Sequence, residues 1–498
     1  MKHSKIALAV FGACASLSVL ADSENVEIYG KINMSVESIS AKGASTPVTY
    51  SAAFTGMNGS TPTFGTVNIG GQNTPSMMRV TDNASNLGFK GREDLGNGLE
   101  AIWQIESAIS PDGSGLGTNN IDANGTYTSN SSTKLGSSTT FVGLKSDDYG
   151  QVRLGHLPVY YHEHLFVGDL AGGKSSISLT TMGLFNSAGE QYVPFLANAA
   201  KTGVGGSAGY IGGRLDNVLE YTTPKFGGFQ FRAAYATAEN KSTNGTNERT
   251  WALHGGYNSG PFALGLDYIR RLDGATVITG SGLEPGHGSN GSLGTALADM
   301  LFNSFGTRHI ALDPNGTALS PSILNANATV GGGNQSTQTG VKLSASYLFN
   351  GATRIGFIVE RVKYNANPNP KLMGLVNKVR ANGYSVNLAP SRTAWALTAS
   401  HSWGKNNVYA TYGRAGNLSG TTETGSQYLG LSYAYDLSKR TTLYASYAQF
   451  KNQKNAAYNF FINGRAPGVD YSGNNSSTFT TARGSDPRSI QIGIQHTF

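Results

Sequence analysis

Val26-Glu-Ile-Tyr-Gly-Lys-Ile-Asn-Met-Ser-Val-Glu37 is the stretch that decides the fold. Its even positions (Val26, Ile28, Gly30, Ile32, Met34, Val36) are apolar or small. Glu27, Lys31, Asn33, Ser35 and Glu37 alternate with them. A period of two predicts a β-strand with one apolar face and one face in water. The chain ends the same way: Ile490, Ile492, Ile494 and Phe498 share one face, and Gln491, Gly493, Gln495 and Thr497 the other.

Between these ends the alternation recurs in segments of about ten residues. The early segments are 86–92, 99–106, 139–145, 151–156, 217–222, 229–236 and 250–257. The later ones are 262–270, 339–348, 354–362, 393–401, 408–414, 427–435 and 442–450. With the two ends they make sixteen. Tight turns near 94–98, 146–150, 224–228, 259–260, 350–352, 404–406 and 436–439 alternate with long Gly/Ser/Asn-rich loops. The loops cover about 38–78, 107–138, 157–213, 237–249, 271–338, 363–391, 415–426 and 451–488. The expected fold is all-β: a sixteen-stranded antiparallel transmembrane barrel with short turns at one end and long loops at the other. An even count lets the first and last strands pair, so no unsatisfied edge meets lipid. Sixteen strands leave a water-filled lumen.

Composition agrees. There are 66 glycines, 24 tyrosines and 21 phenylalanines in 498 residues, and only 13% of residues are charged. After residue 21 no apolar run is long enough for a spanning helix. Lys2, His3 and Lys5, the apolar run Ile6–Leu20 and the small-residue site Val19-Leu20-Ala21 predict a secretory signal peptide over 1–21. Residues 22–498 would then form a single barrel domain. The only cysteine, Cys14, would leave with that signal, so no disulfide is expected. Losing Lys2 and Lys5 lowers the formal charge from +7 to +5. No cluster of bases suggests nucleic-acid binding. Tyr29, Tyr221, Tyr235, Tyr257, Tyr268, Tyr347, Tyr412, Tyr433 and Tyr447 flank turns and predict an aromatic girdle on the lipid face.

Five blocks carry a family resemblance. They are Asn86–Glu106 (NLGFKGREDLGNGLEAIWQIE), Phe141–Gly155, Asp216–Phe229 (DNVLEYTTPKFGGF), Tyr435–Tyr444 (YDLSKRTTLY) and the closing Gln495-His-Thr-Phe498. In this order they resemble the Gram-negative general porins. That resemblance implies an outer-membrane homotrimer, contact with membrane lipid and lipopolysaccharide, and passive diffusion of small hydrophilic solutes and ions. It also implies that the third long loop, 157–213, folds inward as a constriction, and that Phe498 is an assembly signal. Two departures stand out. Ser85-Asn86 replaces the usual Ser-Arg, and Gly155-His156 the usual Gly-Arg.

A narrow wet pore selects by diameter and lining charge. The lumen-side candidates are Lys31, Glu37, Lys90, Arg92, Glu100, Glu106, Arg153, Arg214, Glu220 and Arg232. Glu163, Asp169 and Glu190 would face them from the inward loop. The expected channel prefers anions weakly. A porin selective for a small anion or carboxylate, or a plugged barrel serving as adhesin or anchor, are the alternatives. No cofactor or metal is expected: His156, His162 and His164 read as polar loop residues. No nucleophile stands with a convincing partner base, since Ser400 and His401 are adjacent and point to opposite faces.

Overall fold

The computed structural model of the chain describes residues 26–44, 73–109, 111–112, 135–159, 184–185, 213–237, 249–272, 337–365, 387–454 and 484–498. Shorter described pieces are 48–54, 63–69, 118–121, 127–130, 309–310, 373, 377, 456, 458 and 460. The expected signal peptide and most of loop 157–213 lie outside the described residues.

Sixteen strands close into one antiparallel barrel. They are β1 Val26–Lys42, β2 in two segments (Thr74–Asp82 and Asn86–Gly96), β3 Leu99–Ala108, β4 Thr140–Ser146 and β5 Gly150–Val159. Next come β6 Gly213–Thr222, β7 Phe229–Thr237, β8 Arg249–Ser259, β9 Phe262–Leu272, β10 Thr337–Phe349 and β11 Thr353–Asn365. The last five are β12 Ser391–Trp403, β13 Asn406–Ala415, β14 Ser426–Asp436, β15 Thr441–Asn452 and β16 Asp486–Thr497. Every strand pairs with its sequence neighbour, and β1 pairs with β16 from Lys31↔Thr497 to Lys42↔Asp486. No helix among the described residues is long and apolar enough to cross a membrane.

The alternation sorts as the sequence predicts. Ile28, Ile32, Val36, Leu264, Leu266, Leu431 and Ile492 are exposed on the outside. Asn33, Ser35, Glu37, Asp267, Ser432 and Gln491 are buried on the inside. An apolar exterior around a polar interior inverts a water-soluble fold and suits a lipid surround. Aromatic pairs mark both rims of the outer wall. Phe229–Tyr257 and Phe262–Tyr347 have ring centroids 4.7 Å apart at the turn end. Tyr235–Trp251 (4.2 Å) and Trp395–Tyr412 (5.8 Å) stand toward the loop end.

Three details depart from expectation. Tyr29 belongs to the inner face: its hydroxyl donates to Glu106 Oε2 at 3.0 Å, so it is no part of the girdle. Residues 74–82, of which 74–78 were expected inside the first loop, are the outer half of β2 and pair with β1 (Glu37↔Arg79, Val36↔Val80). Beyond the barrel wall, 48–54 pairs with 63–69 and with His309–Ile310, and 118–121 pairs with 127–130.

The break in β2 has a local cause. Ala84 has φ 64°, a left-handed conformation that ordinary side chains adopt at a cost of about 1–2 kcal/mol. The neighbouring side chains offset it. Asn83 Nδ2 donates to Ser35 Oγ (2.9 Å) and to Tyr444 Oη (3.0 Å). The Asn33 backbone N–H donates to Ser85 Oγ (2.9 Å). Tyr444 Oη donates to Asn33 Oδ1 (2.7 Å), whose Nδ2 donates to Gln495 Oε1 (3.2 Å). This buried knot ties β1, β2, β15 and β16 at the seam where the barrel closes. Tyr444→Phe leaves Asn83 and Asn33 short of a partner and should lower unfolding stability by about 1–3 kcal/mol, read as a lower midpoint of heat-induced gel mobility shift.

Candidate pore lining

Directly opposed residues of neighbouring strands share a face, so the register shows which charges meet in the lumen. Near the turn end, Lys90 bonds Glu27 (3.0 Å), while Lys145 and Arg92 both reach Glu100 (2.9 and 3.5 Å). Higher up, Glu106 accepts from Tyr29 and lies 3.7 Å from Arg214 Nη2. Arg214 Nε also donates to Thr139 Oγ1 at 3.2 Å, and Lys31 feels the charges of Asp82 and Glu106. On β5–β7, Glu220 pairs with Arg153 and lies 3.8 Å from Arg232 Nε. The Arg153 guanidinium also covers the Phe141 ring, 4.9 Å from its centroid. The structure gathers Arg153, Glu220 and Arg232 in one group and Glu106 and Arg214 in another. Glu163, Asp169, Glu190, His162 and His164 lie outside the described residues. His156 Nδ1 lies 2.6 Å from Asp216 Oδ1.

Sequence reasoning missed half the wall. Arg232↔His254, His254↔Asp267, Asp267↔Lys342 and Lys342↔Glu360 are direct cross-strand pairs. They form one row of mostly alternating charge across β7–β11. His254 Nδ1 is 2.6 Å from Asp267 Oδ1. Arg392 continues the row, bonding Glu360 Oε1 (3.2 Å) and Tyr458 Oη (2.9 Å). The signal was available, since each charge sits on the polar parity of its strand. Across the barrel Glu37, a candidate read from the sequence, is gripped by partners that were not: Arg79, Ser489 and Gln491 at 2.6, 2.6 and 3.0 Å. The run Gly205-Gly-Ser207-Ala-Gly209 has the spacing of a nucleophile elbow, which the sequence reading passed over. It lies outside the described residues, and its strand–turn–helix setting is foreign to an all-β chain.

Exposure divides these pairs unequally. Glu37 is 0% exposed while its partner Arg79 is 22% exposed. Glu220 is 0% exposed against 15% for Arg153 and 24% for Arg232. Glu106 shows 10% against 21% for Arg214. Lys90–Glu27 and Lys145–Asp147 at the turn end, and His156–Asp216, reverse the order. On β10–β12, Lys342, Glu360 and Arg392 are all buried. At the Glu37, Glu106 and Glu220 clusters the arginines are thus the more exposed partners, with the carboxylates tucked behind.

One described piece of the third loop touches the far wall. Leu184 and Phe185 are fully buried in a cluster with Ile39, Ile358, Ala394, Ala396, Tyr428 and Phe450. A Cβ on Gly413 would come 2.5 Å from Leu184 Cδ2.

A closed sixteen-strand barrel with an apolar exterior and a charged lumen is a membrane-spanning pore protein of the outer-membrane type. The chain belongs to the Gram-negative porin family, whose model matches residues 7–455. It is 24% identical over 382 residues to an outer membrane porin protein of Bordetella pertussis, covering 76% of this chain and 79% of that one. It is 26% identical over 201 residues to major outer membrane protein P.IB of Neisseria lactamica, covering 40% of this chain and 47% of that protein. The match thus spans about half the length of that relative. The fold resembles an anion-selective porin from Comamonas acidovorans, with TM-score 0.55, 18% identity and coverage of 95% and 99% of the two chains. The protein is a multi-pass barrel of the Gram-negative outer membrane.

Proposed function

We propose that this porin is a water-filled channel for passive diffusion of small hydrophilic solutes and ions, with a weak preference for anions. The observation that carries the preference is the screened carboxylates. A permeating ion meets Arg79, Arg153, Arg214 and Arg232 before it meets Glu37, Glu220 or Glu106. Two unit charges 4 Å apart in water interact by about 1 kcal/mol, roughly a fivefold change in local ion concentration. Paired bases therefore give a modest bias rather than a strict filter.

The same reading takes residues 1–21 as a cleaved signal and the third loop as the constriction, with Leu184 and Phe185 anchoring it to β11–β15. Gly413→Leu would push Leu184 from its seat and should change single-channel conductance by a factor of two or more; an unaltered conductance would dissociate that contact from the pore width. The mature form is a homotrimer. The outer wall of β1, β4 and β5 supports this, because it presents aliphatic Ile28, Ile32, Val142 and Leu154. The ring pairs of the outer wall among the described residues lie on β7–β13. Swelling of protein-loaded liposomes in sugars of graded size tests the channel. Rates should fall smoothly with solute size and rise linearly with concentration. Saturation by one carboxylate would favour a selective porin, and no swelling a plugged barrel.

A further inference from the structure

The eighth long loop begins by turning into the barrel. Ala456, Tyr458 and Phe460 are all buried, in one cluster with Tyr428 and Phe450 of β14 and β15 and with Ile358, Ala394 and Ala396 of β11 and β12. These wall residues face inward. Tyr428 shares its strand face with Ser432 and Phe450 with Ser446, both polar and buried, while Leu429 and Leu431 are exposed on the outside. Phe450 is the centre of the seat. Its ring centroid lies 4.9 Å from that of Tyr428, 5.5 Å from Phe460 and 6.2 Å from Tyr458. Aromatic pairs at such spacings add about 0.5–1.5 kcal/mol each beyond the area they bury.

Polar contacts stitch the loop's departure to its return. Asn452, the last residue of β15, uses its side-chain amide like a backbone unit: Nδ2 donates to Tyr458 O (2.9 Å) and Ser485 O (2.7 Å), and Oδ1 accepts the Tyr458 N–H (3.2 Å). The Gly484 N–H donates to Ala456 O at 2.8 Å. Tyr458 Oη accepts from Arg392 Nη1 at 2.9 Å, with the guanidinium carbon 5.7 Å from the ring centroid. The seat also hides charge. Arg392 and Glu360 are each 1% exposed, whereas the arginines at Glu37, Glu106 and Glu220 keep contact with lumen water. An ion pair on an open lumen wall would keep its hydration; this one has lost it under side chains that the loop brings.

We propose that Ala456, Tyr458 and Phe460 form a second constriction, separate from the third loop, that fills the β11–β15 side of the lumen and leaves solutes the β1–β7 side. Tyr458 is its positioning residue: its ring packs on Phe450, its backbone is held by Asn452 and its hydroxyl by Arg392. Leu184 and Phe185 of the third loop join the same cluster, so the two loops brace each other. The size limit of the pore is then set by both loops together. The effect on flux rests on the diffusion-channel reading; the position of the segment rests on its packing alone.

Thiol labelling and conductance test it together. Cys14 is the chain's only cysteine, so in a Cys14→Ser background one new thiol reports its own surroundings. Ala394→Cys lies under the seat, and Lys90→Cys lies on the open turn-end wall. A small hydrophilic methanethiosulfonate should modify Lys90→Cys roughly tenfold or more faster than Ala394→Cys in the detergent-folded protein, because thiol reactivity follows access. Adding Tyr458→Ala with Phe460→Ala should remove that difference. The same pair should raise single-channel conductance about twofold and admit larger sugars in liposome swelling, since pore width sets both. Tyr458→Phe keeps the ring and should retain the protection and the size limit. Equal labelling of the two thiols, with Tyr458 and Phe460 in place, would overturn the seat. An unchanged conductance and size limit in the Tyr458→Ala, Phe460→Ala protein, once its Ala394→Cys thiol reacts freely, would overturn the constriction. Labelling needs no conducting pore, so a silent bilayer would contradict the channel reading while the thiols still decide the seat.

Discussion

Replacing Arg153 and Arg232 together with Gln will reverse the ion preference of the channel. The two arginines cover one carboxylate, Glu220, which is 0% exposed behind them. Removing both turns a local charge of +1 into −1 without touching the backbone ladder. Glu220 then faces the lumen water beside Thr222, whose Oγ1 donates to it at 3.4 Å. A swing of two charges at close range, at about fivefold per charge, predicts a shift of roughly tenfold or more in the chloride-to-potassium permeability ratio. The shift shrinks in high salt as the Debye length falls to ~3 Å at 1 M. Adding Glu220→Gln to the pair should restore near-neutral behaviour. An unchanged ratio in the double variant would place the selective zone elsewhere on the wall, with the β7–β11 row the next position to probe.

Loss of the last side chain is expected to have the other large effect. Phe498 and Gly30 exchange backbone hydrogen bonds, each 3.1 Å, which clasp the chain's end onto its first strand. The Phe498 ring lies over Gly30, where a Cβ would approach its Cζ to 2.5 Å and Asn86 O to 2.8 Å. Phe498→Ala keeps the backbone clasp but loses the cover on the seam and the aromatic end of the chain. Half-exposed, the ring contributes about 1–2 kcal/mol to the folded barrel, less than a fully buried one. The larger consequence is on insertion, with trimer yield in the outer membrane falling severalfold. Gly30→Val should be worse, since it collides with both neighbours at the closing seam. Normal yields of both variants would remove Phe498 from assembly and leave it an ordinary rim residue.

The barrel was legible because lipid outside and water inside impose a period of two on nearly every strand. Val26–Glu37 and Ile490–Phe498 show it without any help from structure. Turn chemistry at Asn97-Gly98, Ser259-Gly260 and Asn350-Gly351 set the strand boundaries, and Asn97, Gly260 and Gly351 do take positive φ. The upper half of β2 was lost to the reading because Thr74–Asp82 is short and Asn83–Ser85 interrupts it; the side-chain knot that supports Ala84 spans residues 33 to 495. Tyr29 was misread because residue type suggested a girdle where its odd position already pointed inward. The pore candidates were half legible. Parity placed Arg153 and Glu220 on one face, but pairing depends on register, which the sequence did not reveal. Hence the row from Arg232 through His254, Asp267 and Lys342 to Glu360 emerged only when the strands were aligned. The difference in exposure between Glu37, Glu106 or Glu220 and the arginines around them, on which the anion preference rests, has no sequence signature at all.

The most direct test of an open, weakly anion-preferring pore is the current through the unaltered protein in a planar bilayer under a tenfold KCl gradient. Discrete ohmic steps are expected, with a reversal potential on the chloride side of zero that is modest in size and fades at high salt. A bilayer that stays silent despite inserted protein, or a reversal potential on the potassium side, would contradict it.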